Sequence, residues 1–300
     1  MEKQTKKGKY FISFMDVLGF RKLVKNNDLE KVYNSLETIL VELRNLYLTG
    51  KSKIYVCFDM KTGLPASVPS HKYSNKILSS NVINFSDSII FYIECSEDEE
   101  DNKVKFESIC WLSNEFIAKS ILTAHDPNRF EIALRCGIAF GDAIIDKNNK
   151  IIVGQPIIDA FDLSNYQQWM GGAIHPSVPT EYKEKILGYG NELFKYSVPI
   201  APKEESESKF INLEYSLNWV KHHPSHPNID GLNRIGPTLL DIGGHIANYK
   251  WEKKDDYAKG RNTLDFVKKI DEAWNKAEDV SLSTEKKFQY PNWYGTINHI

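Results

Sequence analysis

Two aspartates sit where carboxylates are costly. Asp16 ends the run YFISFMD, an otherwise aromatic and β-branched stretch, and Asp87 lies at the centre of NVINFSDSIIFYIEC, between two apolar runs. An anion at an apolar sheet loses its hydration, and two placed side by side also repel. A divalent cation removes both difficulties, and ligation by oxygen alone favours Mg²⁺ or Mn²⁺ over zinc. The VLGF that follows Asp16 turns into a helix start. The amides of Val17, Leu18, Gly19, Phe20 and Arg21 are therefore candidates to hold a polyphosphate. Two carboxylates, a hard metal and an amide turn describe chemistry at a nucleoside triphosphate. Taken singly, each aspartate has a plainer reading, as a helix cap at a strand end and as a hairpin turn former. Their joint placement favours the metal site.

The elements around them follow from hydrophobic period. Residues 10–16 read as a buried strand, and Leu23, Val24, Val32, Leu36, Ile39, Leu40, Leu43 and Leu46 predict one helix from Phe20 to Leu48. Residues 53–58 read as an inserted strand, followed by a Gly, Pro and Ser-rich loop to about residue 80. The hairpin turns at Ser86-Asp87-Ser88, and the acidic SEDEEDNK reads as a solvated loop. A second amphipathic helix spans 104–124. Residues 130–145 alternate as strands broken at Gly137 and Gly141, then come a helix at 156–169 and a strand at 172–177. The order is βαββαβ, the split βαβ or ferredoxin-like pattern, in which the first strand and the hairpin are central neighbours. Beyond 200 the chain predicts a polar loop at 202–209, a strand-like run at 210–220, a His/Pro loop, and helices near 236–249 and 255–277. The expectation is an α+β catalytic domain over 1–200 and an extension of mixed strand and helix over 201–300.

Composition removes other classes. The 300 residues are 41% hydrophobic and 26% charged, with 38 basic and 40 acidic residues and a net charge of -2. No field of one sign exists to recruit a nucleic acid or an anionic membrane surface. The six arginines are Arg21, Arg44, Arg129, Arg135, Arg234 and Arg261, so any guanidinium clamp on phosphate comes from this set. Four scattered cysteines, Cys57, Cys95, Cys110 and Cys136, form no zinc or redox motif and are expected as reduced thiols. Neither a signal peptide nor an apolar run of about 20 residues is present, which predicts a cytoplasmic protein without a membrane partner. His222, His223 and His226 stand among prolines with no Cys to complete a zinc set, and read as loop histidines. Gly243-Gly244-His245 reads as a packing or kink feature, and Trp169 as a core or interface aromatic. The Lys-rich stretches at 3–9, 250–254 and 268–269 read as solvated faces, with one lysine a candidate to reach a triphosphate.

Four collinear segments carry a resemblance. FISFMDVLGF resembles the first metal-binding segment of class III nucleotidyl cyclases, and INFSDSIIFY their metal-binding hairpin. LRCGIAFGDAII is similar to the Gly-rich strand pair that follows, and IVGQPIIDAFDL to the glycine and dimer-facing helix. Residues 10 to about 177 are covered. The resemblance implies a cyclase catalytic core acting as a homodimer with sites at the subunit interface. It also implies two Mn²⁺ or Mg²⁺ ions per site, held by Asp16 and Asp87 with the Val17 carbonyl assisting.

Departures from the family pattern narrow the expectation. Ser86 stands where a Gly usually precedes the second aspartate. Ile83 replaces the Lys or Glu that reads a purine edge, and Ile158 and Asp162 fall where a transition-state Asn and Arg are usual. FSDS, with no fused sensor domain, looks most like the stand-alone pyrimidine cyclases of bacterial Pycsar anti-phage systems. That likeness implies a cyclic nucleotide product, uridine favoured over cytidine, read by a downstream effector. Arg135, then Arg21, are candidates for the missing charge stabilisation, beside the plainer reading of Arg135 as an ion-pair partner. Two rivals remain: a purine cyclase with unusual base contacts, and a degenerate domain that binds nucleotide without turnover.

Overall fold

A computed structural model describes residues 5–37, 57–58, 65–66, 81–85, 87–122, 132–146, 148–188, 191–201, 213–222 and 254–278. Strand β1 (Thr5–Val17) lies at the centre of an eight-stranded sheet. On one side it pairs antiparallel with β3 (Ser88–Glu94), which pairs with β2 (Asn81–Phe85). On the other it pairs antiparallel with β4 (Leu134–Asp146), which carries the short strand β5 (Ile151–Gly154). The order β2-β3-β1-β4, with helix between β1 and β2 and again between β3 and β4, is the ferredoxin-like βαββαβ arrangement expected from the sequence.

Period two sorts β1 onto two faces. Phe11, Ser13 and Met15 face α2 (Glu99–Leu122), where the Ser13 hydroxyl meets that of Ser113 at 2.9 Å. Tyr10, Ile12 and Phe14 belong to the opposite cluster, against α3 (Gln155–Tyr166). Asp16 continues this second row, so the α3 face receives its carboxylate.

Three local expectations are corrected. The helix after Gly19 is not continuous: α1 (Phe20–Asn26) stops at Asn27, whose backbone is extended, and helix resumes over 29–37. Asn27 donates its side-chain amide to the Leu23 carbonyl, and the Asp28 carboxylate accepts from the Glu30 amide. Both short polar side chains bond backbone more readily than they continue a helix. The acidic SEDEEDNK is a helix start rather than a loop. Asp98 accepts from the Glu100 amide, and Glu99, Glu100 and Asp101 fill the first turn of α2, where a negative charge meets the positive end of the helix dipole. Finally, Gly137 and Gly141 do not break β4, which runs unbroken for 13 residues. Gly137 serves close packing instead: a Cβ there would stand 2.3 Å from the Ala160 carbonyl oxygen. No side chain fits, and α3 lies directly on the strand.

The chain beyond 166 extends the same sheet and core. Strand β6 (Gly171–Ile174) runs parallel to β4, and β8 (Tyr215–Leu217) joins β6 to β7 (Leu193–Lys195). A short helix α4 (Thr180–Lys185) and a 3₁₀ turn (Trp219–His222) complete this side. Helix α5 (Lys254–Glu278) buries Thr263, Phe266, Val267 and Ile270 along one stripe, and Phe266 packs edge-on to Trp169 at 4.7 Å between ring centres. Trp169 is fully buried, as its core reading required.

Of the inserted strand predicted at 53–58, Cys57–Phe58 is described, paired with Pro65–Ala66 in a small separate hairpin. The predicted loop at 202–209, the helix at 236–249, His223, His226 and Gly243-Gly244-His245 lie outside the described residues. Cys95, Cys110 and Cys136 are free thiols. Among the described residues no helix is long and apolar enough to cross a membrane.

Candidate functional site

The site is built where β1 ends and β3, β4 and β6 begin. Register sets Asp16 opposite Ser88 on one side and Arg135 on the other, and Arg135 opposite Gly171. The Val17 amide donates to the Asp87 carbonyl at 3.1 Å, which ties the hairpin turn to the end of β1. Asp16, near the end of β1, and Asp87, in the turn between β2 and β3, are thereby held at one end of the sheet.

Arg135 stands opposite Asp16 and donates from Nη2 to its Oδ2 at 2.5 Å. Its Nη1 donates to the Asn165 carbonyl at 2.9 Å, at the last turn of α3, while Nε is buried with no hydrogen-bond partner among the described residues. Burial pushes the Asp16 carboxyl up from its ordinary value and the Asp87 charge adds to the rise; the Arg135 hydrogen bond and charge, and the Lys259 charge, pull the other way. Desolvation and like charge therefore outweigh the cations present, which is the electrostatic condition a divalent ion would relieve.

The donor set suits such an ion. Asp16, Asp87 and nearby main-chain carbonyls offer oxygen only. Among the described residues no group of three or more His, Cys, Asp or Glu side chains is arranged around a metal. Two carboxylates with the rest of the shell left to phosphate and water is a pattern Mg²⁺ accepts and zinc does not favour.

The amide turn is partly committed to the fold. Besides the Val17 amide, that of Leu18 donates to the Ala133 carbonyl at 2.8 Å. Gly19 has a left-handed φ of 72°, which bends the chain into α1, and its carbonyl accepts from the Lys22 and Leu23 amides. Gly19, Phe20 and Arg21 form the first turn of α1, with Arg21 exposed. Ile83 is buried beside Ile12, Phe14 and Ile90, so no polar side chain occupies that position. Ile158 is 53% exposed on α3.

Two neighbours were not singled out from sequence. Asn165 signals nothing by its type at a helix end; it matters because β4 brings Arg135 beneath it. Lys259 lies outside the three Lys-rich stretches and nearly 250 residues from Asp16, so only the docking of α5 brings its charge into range.

A second polar cluster is buried elsewhere. His222 is not a loop histidine: its Nδ1 lies 2.8 Å from Glu115 Oε1 and its Nε2 2.9 Å from Glu192 Oε2. Lys221 donates to Glu192 at 2.6 Å, and Asn114 donates to both the carbonyl and the carboxylate of Glu192. One imidazole between two carboxylates, with Lys119 and Lys221 on their outer oxygens, is a charge clamp joining α2, the Glu192 segment and the 3₁₀ turn.

No family model matches the chain, and no curated protein matches it. Solved structures similar to it include the guanylyl cyclase Cya2, at 10% identity and a TM-score of 0.46, covering 77% of this chain and 98% of that one. The guanylate cyclase domain of RhGC from Catenaria anguillulae, in complex with GTP, is similar at 12% identity and 0.42, covering 64% and 91%. A class III adenylyl cyclase-like ATP-binding protein from Pseudomonas aeruginosa is similar at 13% and 0.42, covering 72% of this chain and 39% of that one.

Proposed function

We propose that this chain is a metal-dependent nucleotide cyclase that converts a pyrimidine nucleoside triphosphate, UTP in preference to CTP, into the 3′,5′-cyclic monophosphate and pyrophosphate. The observation that carries the reading is the pair Asp16 and Asp87, held together at one end of the sheet by register and by the Val17–Asp87 hydrogen bond. In the reaction the ribose 3′-oxygen bonds to the α-phosphorus, the bond to the β-phosphate oxygen breaks, and the hydroxyl proton leaves to solvent or phosphate. Divalent ions held by Asp16 and Asp87, with the Val17 carbonyl, would supply Lewis acidity at the hydroxyl and neutralise the leaving pyrophosphate. The protein's own part is positioning and charge. Arg135, anchored by Asn165 and Asp16, holds a fixed positive charge beside the α-phosphate position, and the Gly19–Arg21 turn meets the outer phosphates.

Base choice rests on the apolar surroundings: Ile83 offers no hydrogen bond to a purine edge. The product would serve a downstream cyclic-nucleotide effector, in keeping with anti-phage signalling. The purine cyclase and the domain without turnover are the outcomes that compete. Incubating the pure protein with ATP, GTP, CTP and UTP in Mn²⁺ and weighing the products separates them. A cyclic pyrimidine is the expected product; a cyclic purine would keep the reaction and remove the base assignment. No product from any nucleotide would leave the binding domain.

A homodimer is part of the same reading. Ile158 and Phe161 are exposed large apolar side chains on α3, the helix that covers the face carrying Asp16. Exposed apolar groups gathered on one face suit a partner, and a second copy would cover the site. Phe161→Asp is expected to sediment as a monomer and to lose at least about 90% of turnover at low micromolar concentration, a shift of ~1.4 kcal/mol or more. A fully active monomer would remove the dimer from the mechanism.

A further inference from the structure

Helix α5 docks by its third turn against the segment that leads into β6. Asn262 donates to the Gln168 carbonyl at 2.6 Å, and the Met170 amide donates to the Thr263 hydroxyl at 2.9 Å. Gln168 and Met170 lead directly into Gly171, the register partner of Arg135. Tyr196 donates to the Asn262 carbonyl, so this part of α5 is tied both to the segment before β6 and to the residue after β7. Gly260 is buried within it, and Lys259 is half-buried, one turn before Thr263, whose hydroxyl also donates to the Lys259 carbonyl.

We propose that Lys259 is a substrate-binding residue, contributed by the C-terminal helix of the same chain, that meets the phosphates of the nucleoside triphosphate at the Asp16–Asp87 site. The inference rests on the cyclase reading for the identity of the ligand. Its own ground is the docking of the helix: Lys259 stands one turn before Thr263, which meets Met170, and Met170 precedes Gly171, the register partner of Arg135. A triphosphate brought to two carboxylates needs positive charge beyond that of the metals. Arg135 already commits one amine of its guanidinium to Asp16 and another to Asn165. A lysine ammonium on a four-carbon stem adds a compact point charge to that of the guanidinium. The helix would thus be part of the site as well as of the core.

Calorimetric titration of the full chain in Mn²⁺ with inorganic tripolyphosphate, UTP and uridine tests this, with Lys259→Gln, Lys259→Arg and, as a control on the same helix, Lys268→Gln. Tripolyphosphate and UTP should bind tenfold or more weakly to Lys259→Gln and within threefold of normal to Lys259→Arg. Lys268→Gln should bind like the unaltered protein, and uridine should not distinguish the variants. Binding of tripolyphosphate to Lys259→Gln within twofold of normal would overturn the inference, as would an unaltered protein that binds no tripolyphosphate. Should affinity fall as expected while the unaltered protein makes no cyclic product, the cyclase reading fails and the phosphate site stands. Cyclic product from the unaltered protein, with undiminished binding by Lys259→Gln, would keep the cyclase reading and remove Lys259 from the site.

Discussion

Asp87→Ala is expected to lower cyclic-nucleotide formation on the order of 10³-fold or more while leaving the unfolding midpoint almost unchanged. The two effects separate because of what Asp87 contributes to the fold. Its carbonyl accepts the Val17 amide, and alanine keeps that bond. Its carboxylate raises the Asp16 carboxyl, so its loss removes a repulsion rather than a support. Asp16→Ala should abolish turnover as well, but at a cost to stability. The Asp16 and Arg135 side chains are only 16% and 13% exposed, and truncating the acid leaves a guanidinium that has lost its charge partner. On the order of 2–3 kcal/mol is expected, below the fully buried case because some water reaches both groups. Product formation and urea unfolding of the two variants in parallel check this. An active Asp87→Ala protein would sink the metal assignment, and equal stability of the two variants would remove Arg135 as a partner that depends on Asp16.

Folding stability is expected to peak between about pH 4.5 and 6.5 through the buried clamp on His222. Burial alone would lower the pKa of His222, but Glu192 and Glu115 outweigh it and the net shift is upward from 6.5. The folded state then keeps a proton that the unfolded state releases, so this contribution is complete below pH 6.5 and fades as pH rises through the folded value. Glu115 is shifted the other way. Burial would raise it, yet the His222 hydrogen bond and charge, with Lys119, bring it from 4.5 down to about 2. Glu192 is lowered as well, by His222 and Lys221 against its own burial. Their contribution is complete above pH 4.5 and lost as pH falls through the folded values. The His222 and Glu192 side chains are only 6% and 5% exposed, so His222→Ala leaves two facing carboxylates without their shared cation. About 3–5 kcal/mol of stability should go with it. Urea unfolding from pH 3 to 9 should give a basic limb that disappears in His222→Ala and an acid limb that flattens in the Glu115→Gln, Glu192→Gln double variant. A basic limb of the same slope with and without His222 would place the titrating group elsewhere.

The clamp and the aspartate pair differ in how readable they are from sequence. Asp16 and Asp87 stand out because each interrupts an apolar run, where a carboxylate is costly, and because the chain order makes the first strand and the hairpin neighbours. His222 lies among prolines and lysines, where a histidine is unremarkable; its partners Glu115 and Glu192 are ordinary helix and loop acids. Nothing local says that they meet. Gly137 shows the same limit from the other side. As a residue type it reads as a break in a strand, and only the approach of α3 reveals that the missing side chain makes room for the Ala160 carbonyl.

What the sequence determined by itself is therefore the local layer. Alternating and helical hydrophobic period set β1, the β2–β3 hairpin, α2 and α5, and their order along the chain was enough to specify the βαββαβ arrangement. The two aspartates were identified in the same way, since a costly side chain is visible wherever its neighbours are apolar. The tertiary structure decided everything that depends on distant segments meeting. It set Arg135 against Asp16 by strand register, Asn165 over Arg135 by the seating of α3, Thr263 on the Met170 amide by the docking of α5, and His222 between two acids. Period and propensity act within a few residues, whereas charge pairing is fixed by which backbones lie a few ångströms apart. That distance is a property of the packed sheet and helices, and no short stretch of sequence contains it.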